Sequence, residues 1–506
     1  MKNNYWRSSL TFLALLMVPL AVFAEGPQHG GSINVSLYHE VVTCDPHVSA
    51  SYVDKQILQN IYNTLIGYDN DLNIIPELAE SWDTPDPVTY IFHLRKGVKF
   101  HDGTDLDAEA VKWNIDRVLD PKTKSRGRGE INAIKSVEVV DSHTVKMNLS
   151  YPFSPLLAGL TDRAGFIISP TAFEKMGADK FASNPVGSGP FEFMEWKRDD
   201  HLTLKRFEGY WEKGLPYLDR IVFKPIPDQA VKLTNLKSGA LDIIDDVMPR
   251  DVESVKKDKK LVLLEVPSYG VNALRLNCTK PPFNNKALRQ AVAYAIDRES
   301  IWKHIFYASG VVGHGPIAPV SWAYSKEAFR YTYDPKKAKE KLIEGGKPNG
   351  FKFTMITKIS ALDVQVAQAM QAQLKAVGID VNIVQAEGAR HFKVMLKKTY
   401  EGNYGLWSGY PEPDTNLYRQ HHPKGTAKWT GYADARVAEL LDKSRASLDV
   451  KKRKEYYAKA LDILIKDAPQ VWVYYFPRRN GLNAKVKNYM VSPDGKMRLK
   501  EVWLSK

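Results

Sequence analysis

The stretch "WSGYPEPDTN", Trp407–Asn416, gathers the side chains in this chain best suited to gripping a small molecule. Trp407, Ser408, Gly409 and Tyr410 lead into Glu412 and Asp414, each of which follows a proline. Proline has no amide hydrogen to donate, so a regular helix cannot run through Glu412 and the segment reads as a shaped loop. Aromatic rings there bury area while keeping a polar handle. A carboxylate in a closed cleft suits an ammonium group, which is costly to bury unpaired. Other candidates for chemistry fall short. "HEVVT" opens at His39 and Glu40 like a zinc-protease helix, but Thr43 stands where the second histidine belongs. His421 and His422 are adjacent in a polar stretch, so their rings point apart and read as solvated rather than metal-binding. Ser188 lies in "GSGPF", without the glycine two residues earlier that a nucleophile elbow needs. No glycine-rich phosphate loop occurs. No catalytic residues, resident metal or cofactor are therefore expected. By subtraction, the chain binds something.

The N-terminus says where. Lys2 and Arg7 precede an apolar run from Leu10 to Phe23 and small residues ending at Ala24, the pattern of a cleaved secretory signal over residues 1–24. The apolar run is short for a membrane span of about 20 residues, and Pro19 interrupts it. The 506 residues exceed one hydrophobic core, so two or three lobes are expected. The formal net charge is +13, two fewer once Lys2 and Arg7 leave with the signal. Basic and acidic residues are interspersed, as in "DVKKRKEYY", and no basic stripe with interleaved aromatics appears, so nucleic acid is not an expected partner. An anionic ligand fits the balance. Export puts Cys44 and Cys278 where a disulfide can persist, and they are expected to lie close in space.

Patterning then supplies the elements that must carry these residues. "GSINVSLYHE" alternates as a strand running into a loop. Val53, Ile57, Ile61 and Leu65 share a helix face, with Gly67 ending that helix. "TYIFHLRKGVKF" and "TVKMNLS" read as strands. Between them Asp107 caps a helix whose stripe is Val111, Ile115, Val118 and Leu119, stapled by Leu106. Later the style changes. "NNKALRQAVAYAIDRESIWKHIF" reads as one helix, and a helix through Val366, Met370 and Leu374 stops at Gly378 before a strand. Helix–strand alternation implies a parallel sheet, so residues 269–478 form an α/β lobe. The last segment returns to strand character, which places two linkers side by side near 268–270 and 478–480, the geometry of a hinge.

Four stretches in order carry a resemblance to a known family: "YNTLIGYDNDLNIIPELAESWDTPDPVTYIFHLRKGVKFHDGTDLDAEAVKWNIDRV", "NPVGSGPFEFMEWKRDDHLTLKRFEGYW", "PPFNNKALRQAVAYAIDRESI" and "GYADARVAELLDKSRA". They resemble the family 5 extracellular solute-binding proteins, the dipeptide, oligopeptide and nickel receptors of ABC importers. The resemblance implies an α/β, two-lobed periplasmic binding protein fold of type II (cluster C). Lobe I would comprise residues 25–66, 185–268 and 479–506, with residues 67–184 as an inserted subdomain and 269–478 as lobe II. It implies a monomer that captures a peptide or peptide-like solute in the periplasm and hands it to ABC permease subunits in the inner membrane. The alternatives are a receptor for an anionic non-peptide solute or metal chelate (an opine-like conjugate or nickel complex), an exported metallohydrolase, or a sensory adaptor.

In peptide-binding relatives the loop after the "W-x-G" strand end carries an aspartate for the ligand's α-ammonium. Here Tyr410 stands in that position, leaving Glu412 or Asp414 to substitute or amine recognition to be lost. Ligand contacts are therefore expected from Trp407, Ser408, Gly409, Tyr410, Glu412 and Asp414. Tyr38, His39 and Glu40 should face the cleft, because ligands bind beyond the carboxyl ends of such strands. Arg163 sits where relatives approach the cleft from lobe I and would suit a carboxylate. Tyr410 is expected to matter most and the two carboxylates much less.

Overall fold

A computed structural model describes residues 26–506, and the expected signal over 1–24 lies outside them. The chain builds two large sheets. The first has seven strands, ordered Leu261–Val266, Arg478–Asn483, Ile243–Ile244, Ser32–Leu37, Arg220–Pro225, His201–Arg206 and Phe191–Lys197. Its central strands, Ser32–Leu37, Arg220–Pro225 and Ile243–Ile244, run parallel, with Val35 opposite both Phe223 and Ile243. Ile33, Val35 and Phe223 are fully buried, as a strand covered on both faces requires. The second sheet has six strands, ordered Val311–Val312, Gln470–Tyr475, Val271–Leu276, Gly402–Trp407, Phe351–Lys358 and Ile379–Ala386. A separate four-stranded antiparallel sheet spans Ala79 to Leu149 and covers its own core with the Ala108–Leu119 helix.

That helix forms as its sequence dictates. The Asp107 carboxylate accepts from the Ala110 amide at 2.9 Å, and Leu106, Val111, Ile115 and Val118 are buried. Other boundaries move. The first helix spans Tyr52–Ile61 and stops a turn and a half before Gly67, because Leu65 turns to bond Gly165 and Ile66–Tyr68 pairs with Ile74–Pro76. The stretch read as one helix breaks into Lys286–Ala295 and Arg298–His304. Asp297 caps the second piece, donating no helix amide to the first and accepting from Ser300 N. The second sheet is mixed rather than parallel. Phe351–Lys358 pairs in parallel with Ile379–Ala386 and Gly402–Trp407, while Val271–Leu276 is antiparallel to both its neighbours.

The two sheets are joined twice. Strand Leu261–Val266 of the first sheet is followed at once by Val271–Leu276 of the second, and Gln470–Tyr475 of the second by Arg478–Asn483 of the first. The crossings touch: the Ser268 hydroxyl donates to the Phe476 carbonyl, and a Cβ on Gly270 would fall 2.0 Å from the Phe476 ring. Only glycine lets the two crossings lie this close.

Cys44 and Cys278 do not pair. Both are free thiols, Cys44 within the core of the first sheet and Cys278 packed on the core of the second. The expectation that they lie close in space fails because each thiol packs into the core of a different sheet.

Candidate functional site

The loop after the Gly402–Trp407 strand is set by backbone geometry. Gly409 has φ +76°, and a Cβ there would fall 2.1 Å from the Tyr269 carbonyl at the first crossing. A side chain is excluded, so the loop lies flat against the crossing. Asn416 then fixes its course. Its Oδ1 accepts from Trp407 Nε1 at 2.9 Å and from the Tyr410 amide at 3.0 Å, and its Nδ2 donates to the Tyr410 carbonyl at 2.7 Å. The result is Tyr410 held at a defined angle beside Trp407, ring centroids 5.7 Å apart.

The two prolines do not extend a loop. Pro413 is the first residue of a helix, Pro413–His421, and Glu412 is its cap, accepting from the Asp414 amide at 2.9 Å. Proline is pre-shaped for that first position, so the pattern that forbids a helix through Glu412 starts one just after it. This turns both carboxylates inward. Glu412 pairs with Arg453 at 2.5 Å, and Asp414 takes a two-pronged ion pair from Arg445 at 2.8 Å on each oxygen. Burial pushes the Glu412 carboxyl up, and Arg453 only partly offsets this. Both acids are committed to arginines within the second lobe, which goes against their substituting as the ammonium partner, one of the two readings left open. His421, on the same helix, is 0 % exposed, with both ring nitrogens lacking a hydrogen-bond partner among the described residues. His422 stacks on Tyr418 with centroids 3.9 Å apart and reaches Asp442 at 3.3 Å. Neither is a solvated loop residue, because the loop is a helix packed on its lobe.

Tyr410 instead meets cations from both lobes. Its hydroxyl lies 3.4 Å from Arg163 Nη1 and 3.3 Å from Arg419 Nη1, and Lys55 Nζ stands 4.6 Å from its ring centroid. Lys55 pairs with Asp162, which Lys496 approaches at 3.8 Å, and Arg419 bridges to Glu130 at 3.1 Å. Four cations thus face two carboxylates, and the surplus is positive. Burial alone would raise the Tyr410 phenol, but Lys55, Arg419 and Arg163 outweigh it and bring it down to about 8. Asp162 is likewise held well below the usual carboxylate range, Lys496, Lys55 and Arg163 outweighing its burial. Lys55, Lys496 and Tyr410 line a small cavity of about 30 Å³ here together with the carboxylates of Glu130, Asp162, Glu412 and Asp494.

Of the remaining expected residues, Tyr38 is 39 % exposed at the end of the first strand, with Lys232 Nζ 5.6 Å from its ring. His39 Nδ1 lies 2.7 Å from the Glu40 carbonyl, and Glu40 accepts from Trp196 Nε1 at 2.7 Å. Glu40 is therefore occupied within its own lobe. The Ser408 carbonyl accepts from Arg478 Nη2 at 3.4 Å, beside the second crossing. Arg163 reaches Tyr410, a contact the sequence reading did not foresee. Lys55, Glu130 and Arg419 escaped sequence reading. Lys55 sits in a helix that also carries Asp54, Gln56, Gln59 and Asn60, so nothing in its spacing marked it.

A two-lobed α/β binding fold with a polar cleft at its strand ends is thus in place, and comparison with known proteins gives its family. The family model for bacterial extracellular solute-binding proteins, family 5, matches residues 73–428. The glutathione-binding protein GsiB of Shigella flexneri is 31 % identical over 496 residues, covering 95 % of this chain and 96 % of that protein. The periplasmic binding protein DppA of Helicobacter pylori, solved with the peptide STSA, superposes with a TM-score of 0.88 at 30 % identity, covering 95 % of this chain and 99 % of that one. AgaA of A. tumefaciens, solved with agropinic acid, gives a TM-score of 0.86 at 28 % identity, covering 94 % and 99 %. The chain belongs to the family 5 bacterial extracellular solute-binding proteins. It is a substrate-binding protein of an ABC importer, capturing a solute between two lobes.

Proposed function

We propose that the captured solute is a small peptide-like molecule carrying at least one carboxylate, and that the carboxylate sits against Tyr410, Arg163, Arg419 and Lys55. The observation that carries this reading is the positive surplus around the Tyr410 hydroxyl, with Arg163 and Arg419 converging on it at 3.4 and 3.3 Å. A desolvated site where two guanidinium groups converge takes up a carboxylate with good geometry, because arginine offers paired donors. Glutathione, the solute named for relatives 31 % identical, carries two carboxylates and is the first compound to test. An opine-like conjugate is the second reading. It is favoured by Tyr410 standing where an ammonium-binding carboxylate would be, and by the similarity to AgaA.

On this reading lobe I comprises residues 25–66, 185–268 and 479–506, residues 67–184 insert into it, and 269–478 form lobe II. The mature chain works in the periplasm as a monomer after removal of residues 1–24, passes its solute to permease subunits in the inner membrane, and catalyses nothing. Closure about the paired crossings buries the solute, and closed and open forms exchange with its binding. Native mass spectrometry of the purified protein, followed by calorimetry with glutathione, tests the reading. A bound or titrating anionic solute supports it. A bound solute with no acidic group overturns it.

A further inference from the structure

The cleft has a second charged wall, away from Tyr410. In the first lobe the parallel strands Ser32–Leu37 and Ile243–Ile244 end at Tyr38 and at the pair Asp245 and Asp246. In the second, the parallel strands Phe351–Lys358, Ile379–Ala386 and Gly402–Trp407 end together, and the Ala361–Lys375 helix starts there with Asp363 in its first turn. Carboxyl ends of parallel strands are where open α/β sheets place their ligands. The two ends face one another. Burial pushes the Tyr38 phenol up, and the charges of Asp363 from one lobe and of Asp246 and Asp245 from the other push it further.

The three carboxylates differ in what satisfies them. Asp245 pairs with the fully buried Lys232 and accepts from the Ser36 hydroxyl at 3.2 Å. Asp246 is exposed, and it makes no ion pair and accepts no hydrogen bond among the described residues. Its surroundings, first by desolvation and then through Asp245, favour its protonated form against the pull of Lys232, Arg479 and Arg478. Asp363 is raised by burial, against the charge of Lys358, which forms no ion pair with it, and a hydrogen bond from the Ser360 side chain. Beside them the second sheet presents polar atoms with nothing to bond. The Tyr404 hydroxyl and Thr357 Oγ1 are 0 % exposed, Asn272 Oδ1 belongs to a side chain 8 % exposed, and all three lack a hydrogen-bond partner among the described residues. Strand register puts them on one face: Asn272 lies opposite Leu406, Tyr404 opposite Leu274, and Thr357 one step beyond the Ile356–Asn403 pair. The charge that acts most on the Tyr404 phenol, after its burial, is that of Asp363. Buried polar groups are ordinarily satisfied, so such a row marks a place where something else bonds.

We infer that Asp246 and Asp363, with Asn272 and Tyr404 beside them, form the site for the ligand's ammonium group, relocated from the loop position that Tyr410 now fills to the opposite wall of the cleft. The inference rests on the carboxylate site proposed above and adds the other pole of the same ligand. The wall is rich in acceptors, and an ammonium offers three donors and no acceptor. A divalent metal is a poorer match, since no group of three metal-binding side chains gathers among the described residues. The two acids come from different lobes. An ammonium held by groups of both lobes couples recognition of the amine to closure.

The test compares free and blocked amines. Glutathione and Ser-Thr-Ser-Ala, each with its N-acetyl derivative, are titrated by calorimetry into the unaltered protein, Asp246→Asn and Asp363→Asn. The unaltered protein should bind a free-amine form at least tenfold more tightly than its acetylated partner. Each variant should lose most of that preference while binding the acetylated form as before and melting at the same temperature without ligand. A merely structural role for either aspartate would weaken both forms together and lower the melting temperature, which overturns the inference. Binding of glutathione with no preference for its free amine also overturns it and leaves the carboxylate reading standing. If neither glutathione nor Ser-Thr-Ser-Ala binds the unaltered protein, the inference falls together with the peptide-like reading.

Discussion

Two pairs of carboxylates sit at the edge of the same cleft and do opposite work. Glu412 and Asp414 are closed off by Arg453 and Arg445 within one lobe. Asp246 and Asp363 come from different lobes and have no ion-pair partner among the described residues. The first pair sits in the segment that by sequence looks most like a ligand site, the second in segments that drew no notice. What separates them is the reach of a distant arginine. An acid already paired inside its own lobe costs stability when removed and has little left for a ligand. An unpaired one costs little stability and is available.

The largest effect should come from breaking a locked pair. Asp414→Ala strands the Arg445 guanidinium among buried atoms and should cost about 3–5 kcal/mol of unfolding free energy, read as a lowered urea midpoint. Because Arg445 also stacks over Tyr418, 3.2 Å from its ring centroid, the helix Pro413–His421 should loosen with it. A loss below about 1 kcal/mol would erase the distinction between the two pairs.

Next comes the residue between the poles. Tyr410→Ala should weaken an acidic ligand by about 1–3 kcal/mol in calorimetry, through lost contact in a desolvated pocket. Unlike Asp414→Ala it should leave the urea midpoint nearly in place, since Tyr410 is only half-buried. A variant that loses stability and no affinity would move Tyr410 to the locked side.

Local signals in the sequence carried far, and long-range ones did not. Caps, stripes and strand alternation located the Asp107-capped helix and the Ala361–Ala386 helix–strand unit, because those depend on residues a few positions apart. Arg163 was singled out only through family resemblance, and its contact with Tyr410 was not foreseen. The partners of Glu412 and Asp414 lie 41 and 31 residues further on, and nothing in the spacing announces them. Arg419 looked like one more basic residue near a helix end, and its contact with Glu130 spans 289 residues. The proline pair was misread for a related reason. Pro413 stops a helix that arrives and starts one that leaves, and only the packing of Leu417 and Tyr418 against the lobe decides which.

A third effect belongs to the sealed side of the helix Pro413–His421. Burial lowers His421 to about 3, against about 6.5 for an exposed histidine. The folded protein refuses a proton that the unfolded chain accepts, so the stability from neutral His421 is complete above about pH 6.5 and is lost as pH falls towards 3. Between pH 7 and 5 the loss should be about 2 kcal/mol from this residue. His421→Leu should flatten that part of the stability profile measured by urea titration, and His422→Leu should do so less. An unchanged slope in His421→Leu would place the ring in contact with water.

The smallest effect, and the one that reads the cleft alone, is alkaline. With its phenol at about 8, Tyr410 begins to ionise just above neutral pH, and the phenolate supplies part of the negative charge that Arg163, Arg419 and Lys55 otherwise draw from a ligand. An anionic solute that needs the neutral phenol should therefore bind at most about tenfold more weakly at pH 9 than at pH 7, the slope of one proton per ligand. Stability moves the other way. A depressed tyrosine pKa favours the folded state most above the unfolded value near 10, and that gain is lost as pH falls through 8, so weaker binding at pH 9 cannot be laid to unfolding through Tyr410. Tyr410→Phe keeps the ring and removes the proton, so its affinity for N-acetylglutathione, which has no amine to titrate, should stay level from pH 7 to 9 while the unaltered protein's declines. If both decline in parallel, the titrating group is elsewhere, in a lysine or in the ligand, and the Tyr410 hydroxyl is a neutral contact between two arginines.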